Sequence, residues 1–206
     1  MRNILFLMLF FCATTCVAAT PAAELQELLS KVHTMSANFT QTAQASAKKA
    51  SAIHSAIGSM IFERPNKFRW ETKEPNQQLI IAKEKTIWFY DVDLEQVTKR
   101  KVNYREPGNP AILLSGNPDT LQELFKIKKL EQNLPGVWFK LTPKQQNNMY
   151  QAIKINFVDG AIKAMVIVDN LGGQSNIQFT NIEINTAINP KLFKFTVPHG
   201  VDVVTE

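Results

Sequence analysis

The side chains able to do covalent or metal chemistry are few, and their spacing does not suit it. The three histidines, His33, His54 and His199, stand far apart, and none has a second ligand at metal-binding spacing. No nucleophile elbow, phosphate-binding glycine loop or HExxH occurs. Asp91 and Asp93 flank a strand end and read as a turn rather than an acid/base pair. The pattern predicts no enzyme and no metal site. One polar group does stand in a suggestive place. Arg64 heads the stretch "RPNKFRW" (64–70), in which Phe68 and Trp70 share one parity beyond a Pro-Asn turn. A guanidinium has five fixed donors and no acceptor, so at the rim of an apolar hairpin it needs oxygen partners. Read from the residues alone, it is a turn-flanking arginine paired with Glu63 or Glu74.

The elements around that hairpin are mostly strands. "ANFTQTAQA", "SAIGSMIFER", "KFRWETK", "QQLIIAK" and "TIWFYDV" alternate with period two and are separated by short polar breaks. "EQVTKRK" reads as a polar or edge strand. "IKKLEQN", "VWFKLT", "YQAIKINFV", "AIKAMVIVD", "SNIQFTNIEI" and "KLFKFTV" continue the series. Asp159-Gly160 between two alternating runs is the strongest hairpin signal. About 11 strands joined by tight turns make an antiparallel meander, and a sheet that wide must curl. The expected fold is mainly β with small helices: an incomplete, strongly curved antiparallel barrel. The inward parity of "QLIIA" and "TIWFY" is ambiguous, since both faces are apolar; Ile80 and Phe89 are taken as the inward residues.

Helices interrupt this pattern twice. "TPAAELQELLSKVHTMSANF" predicts a helix capped by Thr20, with Pro21 in its first turn and Leu25, Leu28, Leu29, Val32 and Met35 on one stripe. In the middle, Asn109-Pro110 and Asn117-Pro118 each offer a cap followed by a first-turn proline. The first of these short helices holds Ile112, Leu113 and Leu114, and the second has the stripe Leu121, Leu124 and Phe125. A helix so short is unstable alone and must pack on something. Two readings stay open: a plug in the barrel's end, or a lid over a cavity.

The chain is basic, with 23 Lys and Arg against 18 Asp and Glu and a formal charge of +5. Its first residues carry one charge at Arg2, an apolar run from Ile4 to Phe11, and small residues up to Ala19. That is the layout of a signal peptide, residues 1–19, and the run is too short to span a membrane. Removing those 19 of 206 residues leaves 187 for one domain, residues 20–206, and takes away both cysteines, Cys12 and Cys16. Export makes nucleic acid an improbable partner. An outer-membrane barrel fits poorly, because many strands are short and are interrupted by Lys67, Lys154 and Lys163.

Taken in order, "FTQ" (39–41), "RPNKFRW", "TIWFY" (86–90), "LEQVT" (94–98), "NPAILL" (109–114), "LTPK" (141–144) and "KFTVPHGVDV" (194–203) resemble the LolA family of periplasmic lipoprotein carriers. The resemblance covers nearly the whole chain beyond the signal. It implies a half-open barrel whose apolar cavity takes the acyl chains of lipoproteins, here lined by Phe68, Trp70, Ile80 and Phe89. Ile112, Leu113 and Leu114 would then form the lid. It gives Arg64 a role as well, holding the lid shut through backbone carbonyls of the lid helices. It implies a monomer that takes cargo from an inner-membrane ABC transporter and passes it to an outer-membrane receptor, without a cofactor. Two other functions compete with this one: an envelope-stress sensor module, and a lipocalin-like carrier of small hydrophobic ligands. Lys67 and Arg69 make this hairpin more basic than the family's usual form.

Overall fold

The computed structural model describes residues 19–45, 53–102, 110–145 and 150–206, without the side chains of 110–112. The signal-peptide segment, the cap at Asn109 and most of the loop after "QTAQA" lie outside the described residues. Helix α1 (Pro21–Ser30) starts as its sequence predicts, with Thr20 Oγ1 accepting from the Ala23 amide at 3.2 Å. It ends at Ser30 rather than running on to Met35. Val32 lies in the turn that follows, and Met35 is already in strand β1 (Thr34–Gln44). The apolar stripe therefore continues from helix to strand without a break in burial: Leu25, Leu29, Val32 and Met35 are all fully buried.

Beyond β1 come β2 (Ile53–Glu63), β3 (Lys67–Glu74), β4 (Gln78–Lys83), β5 (Thr86–Asp91) and β6 (Gln96–Lys101). After the short helices α2 (Pro110–Ser115) and α3 (Leu121–Leu124) follow β7 (Phe125–Leu130), β8 (Val137–Pro143), β9 (Tyr150–Val158), β10 (Ala161–Asp169), β11 (Gln174–Ile184) and β12 (Asp202–Thr205). All twelve form one sheet in the order β12-β6-β5-β4-β3-β2-β1-β11-β10-β9-β8-β7. Asp159 and Gly160 both have positive φ, 51° and 76°, as a two-residue hairpin of matching twist requires. Register shifts in β1, in the β2/β3 ladder and in β10 bend the strands and help the sheet curl.

The order explains the helices. β6 and β7 are consecutive in the chain but lie near opposite edges of the sheet. The connection carrying α2 and α3 must therefore cross the open side of the curve. Together with α1 it covers that side, and Leu113, Leu114 and Leu121 join Leu25 and Leu29 in one core with the strands' inner face.

One expectation about the C-terminus is corrected. "KLFKFTV" is not a strand: Asn189 Oδ1 accepts from the Lys191 amide at 3.0 Å and caps a 3₁₀ turn, Pro190–Phe193. The segment after it runs across the outer face of β3–β6. There Phe193 is buried, and Phe195 lies 6.3 Å from Trp88 and 5.9 Å from Tyr90 between ring centroids. Having returned to the start of β6, the chain can only run alongside it in the same direction, so β12 pairs with β6 in parallel in an otherwise antiparallel sheet.

Candidate functional site

Residues directly opposite in a ladder share a face. From β1 to β6 one such row reads Met35, Phe62, Phe68, Ala82, Ile87, Arg100. The next reads Ala37, Met60, Trp70, Ile80, Phe89, Thr98. Both rows lie on the helix-covered face, since their apolar members belong to the core that includes α1 and α2. Register thus removes the parity ambiguity of β4 and β5. Ile80 and Phe89 share the face of Phe68 and Trp70, while Ile81 and Trp88 form the pair turned outward. Phe68 is buried; Trp70, Ile80 and Phe89 are only partly so, leaving apolar surface uncovered beyond the helices.

Aromatic residues not singled out from the sequence complete this floor. The Trp70 ring stacks on Phe39 at 3.8 Å and meets Phe179 edge-on at 6.4 Å. Phe39 belongs to β1 and Trp70 to β3, so Phe39 has to reach across β2. It crosses at Gly58, where an added Cβ would sit 2.6 Å from the Phe39 ring and 2.0 Å from the Glu71 carbonyl oxygen. The sequence held one cue, a lone glycine inside an alternating strand, which marks a close approach.

At the lid end of β2 and β3, Arg64 lies over the Phe62 ring, with its guanidinium carbon 5.2 Å from the centroid. Its Nε donates to the Val32 carbonyl just after α1 at 3.0 Å, and its Nη1 to the Gly116 carbonyl just after α2 at 2.5 Å. The Asn66 amide donates to the Ser115 carbonyl at 2.9 Å, so one turn serves successive carbonyls at the end of α2. These are the acceptors a helix leaves unpaired at its C-terminus. Burial lowers the Arg64 pKa to about 10, which still leaves the group charged at neutral pH. The alternative partner Glu63 is taken by Lys67, at 2.5 Å.

Leu113 and Leu114 of α2 are buried in the core, while the Ile112 side chain lies outside the described residues. The other helices have ties besides Arg64. Gln26 of α1 donates to Asp119 at 2.5 Å, Lys129 of β7 bonds both oxygens of Glu24, and Lys144 donates from Nζ to the Gln122 carbonyl. Arg69 is not free for a partner either: it pairs with Glu71 at 2.8 Å and donates to the Leu192 carbonyl, holding the C-terminal segment.

No group of three potential metal ligands occurs among the described residues. His33, His54 and His199 are all exposed. Asp91 accepts from the Leu94 amide and from Gln78, the turn role its sequence suggested. What the arrangement offers is an apolar face under a fastened cover.

Comparison with known proteins agrees. The family model described as outer membrane lipoprotein carrier protein LolA matches residues 30–196. An outer-membrane lipoprotein carrier protein of Nitrosomonas europaea is 37% identical over 191 residues, covering 92% of this chain and 91% of its own. One from Nitrosospira multiformis is 38% identical over 205 residues, with 98% and 95% covered. The chain is also similar in fold to a crystal structure of a LolA superfamily protein from Nitrosomonas europaea. That likeness has a TM-score of 0.51 at 12% identity, with 86% of this chain and 99% of the other covered.

Proposed function

The chain belongs to the LolA family, the outer-membrane lipoprotein carriers, and on that premise we propose that it holds its cargo's acyl chains against the inner face built around Phe68, Trp70, Ile80 and Phe89. It is a lipoprotein carrier. The need for one follows from transfer energies: at roughly 0.8 kcal/mol per CH₂, a sixteen-carbon chain exposed to water costs about 12 kcal/mol. A carrier must cover that surface and still release it.

The observation that carries the reading is the pair of hydrogen bonds from Arg64 to the carbonyls just after α1 and α2, above an apolar floor. Leu113 and Leu114 pack in one core with that floor, so cargo and lid compete for the same surface. Arg64 stabilises the empty side of the competition, which limits net affinity and favours hand-over. No described helix is long and apolar enough to cross a membrane. Residues 1–19 act as a signal peptide that sends the chain to the periplasm. Cargo arrives from an inner-membrane ABC transporter and leaves to an outer-membrane receptor.

The test is a release assay. Spheroplasts of the parent bacterium, making a labelled lipoprotein, are incubated with the purified chain. Labelled lipoprotein should appear in the supernatant bound one to one. None appearing, with the chain folded and the transporter active, would overturn the carrier reading.

A further inference from the structure

The inner row Met35, Phe62, Phe68, Ala82, Ile87 does not end in an apolar residue. On β6 it ends in Arg100. The Arg100 guanidinium lies over Phe89, 5.5 Å from the ring centroid, and its Nε is 2.7 Å from Glu206 Oε2. Glu206 is placed by the β12 ladder, its amide donating to the Lys99 carbonyl at 3.0 Å. Thr98 lies on the same face of β6 as Arg100, and Val102, just beyond the strand, packs on the core. This cation therefore stands at the rim of the acyl-binding face, on an aromatic that belongs to it.

Two arginines thus bracket the same apolar rows, and they differ in what they hold. Arg64 is largely buried and bonded to backbone carbonyls just after α1 and α2. Arg100 is half exposed, and its partner is a side-chain carboxylate that is half exposed too. Exposed pairs of this kind are weak and readily exchanged. Among the described residues only Nε of its five donors is engaged, so the planar fork is available to another oxygen acceptor.

An acyl chain never comes alone. Its head is an ester, an amide or a carboxylate, and when the chain is buried that head is left at the rim with oxygens to satisfy. We propose that Arg100 is the head-group site of this carrier. It donates to the ester carbonyls that join the cargo's acyl chains to its lipidated N-terminus, and Glu206 occupies the site when no cargo is bound. The proposal rests on the carrier reading and adds the polar half of the ligand. It also gives the C-terminal strand a function: β12 delivers the competing carboxylate to the place where the acceptor arrives.

The experiment measures binding of three probes to the purified chain through its tryptophan fluorescence. They are a synthetic lipopeptide with a diacylglyceryl-cysteine N-terminus, the same lipopeptide with ether in place of ester linkages, and palmitate. The parent should bind the ester form about tenfold tighter than the ether form, a difference of about 1.4 kcal/mol. Arg100→Leu should remove that difference while leaving the ether form within about twofold of the parent, since one tenfold step is 1.4 kcal/mol. Arg100→Lys, which keeps the charge but loses the fork, should restore only part of it. Glu206→Gln should tighten ester binding. Equal losses for ester and ether would show that Arg100 acts by covering Phe89, and would overturn the site, as would no loss at all. An effect confined to palmitate would assign it to free carboxylates and overturn the ester assignment. If the parent binds no probe, the carrier reading falls as well.

Discussion

Replacing Arg64 by leucine isolates the latch. The arginine makes two charge-assisted bonds, to the Val32 and Gly116 carbonyls. Bonds of that type contribute roughly 1.5–3 kcal/mol each, about 3–6 kcal/mol together. Opposing them is the desolvation that lowers its pKa to about 10. At 1.36 kcal/mol per unit, that costs about 3 kcal/mol. The net contribution to the closed lid is then about 0–3 kcal/mol, and its midpoint of about 1.5 kcal/mol is close to a tenfold change in the closed-to-open ratio. Because apparent affinity scales with the population of the binding-competent form, Arg64→Leu should bind acylated ligand more tightly, by about tenfold. Amide exchange at Asn66, whose bond to Ser115 depends on the closed turn, should speed up by a similar factor. Transfer from the loaded variant to receptor-bearing outer membranes should fall, since the empty state that drives release has lost its fastening. The assays are ligand titration, hydrogen exchange and a two-membrane transfer experiment, with circular dichroism to establish that the variant folds. Unchanged affinity together with unchanged Asn66 exchange would refute the reasoning. So would transfer as efficient as the parent's.

Three further perturbations separate other parts of the argument. Gly58→Ala places a methyl against the Glu71 carbonyl and the Phe39 ring, so it should destabilise by about 1–3 kcal/mol and reduce the near-ultraviolet signal of the Phe39–Trp70 stack. A stable variant with an unaltered tryptophan spectrum would show that Phe39 does not need that passage. Phe193→Ala empties the outer-face site and should cost about 3–5 kcal/mol in urea unfolding. A cost below about 1 kcal/mol would mean that the C-terminal segment is only loosely attached. Burial raises the Tyr150 pKa above its usual 10, so in the folded chain the phenol stays protonated where the unfolded chain ionises. The stability this contributes is complete below pH 10 and is lost as pH rises through the folded pKa. Tyr150→Phe should flatten the alkaline decline in the urea midpoint, by up to about 1.4 kcal/mol per pH unit above 10. An unchanged slope would place that phenol in water.

Much of this architecture could be read residue by residue, and where it could, the determinants are local. Thr20 caps α1 because its hydroxyl is within reach of an amide three residues away, and Asp159-Gly160 turns because those two residues tolerate positive φ. Period-two patterning marked the strands, and Arg64 was conspicuous because a cation beside Phe62, Phe68 and Trp70 must be explained. Its partners were not visible, because Val32 and Gly116 are 32 and 52 residues away in the chain. The inward faces of β4 and β5 were equally beyond a local reading. Ile80 and Ile81 are alike in type, and only their register against Trp70 and Arg69 decides which meets the helices and which lies on the outer face. The same holds for "KLFKFTV". Its alternation suits a strand, but no open ladder position awaits it on that face, and the cue was the third Asn-Pro pair, at Asn189-Pro190. Met35 belongs to a helical stripe by spacing and to a strand by structure, because pairing with Phe62 offers more than another helical turn could. The sequence by itself determined the class of fold, its turns, its caps and the single suspicious cation. The tertiary structure decided which face is the floor, what the cation holds and where the C-terminus goes. Those depend on contacts between distant segments, whose energies no local spacing contains.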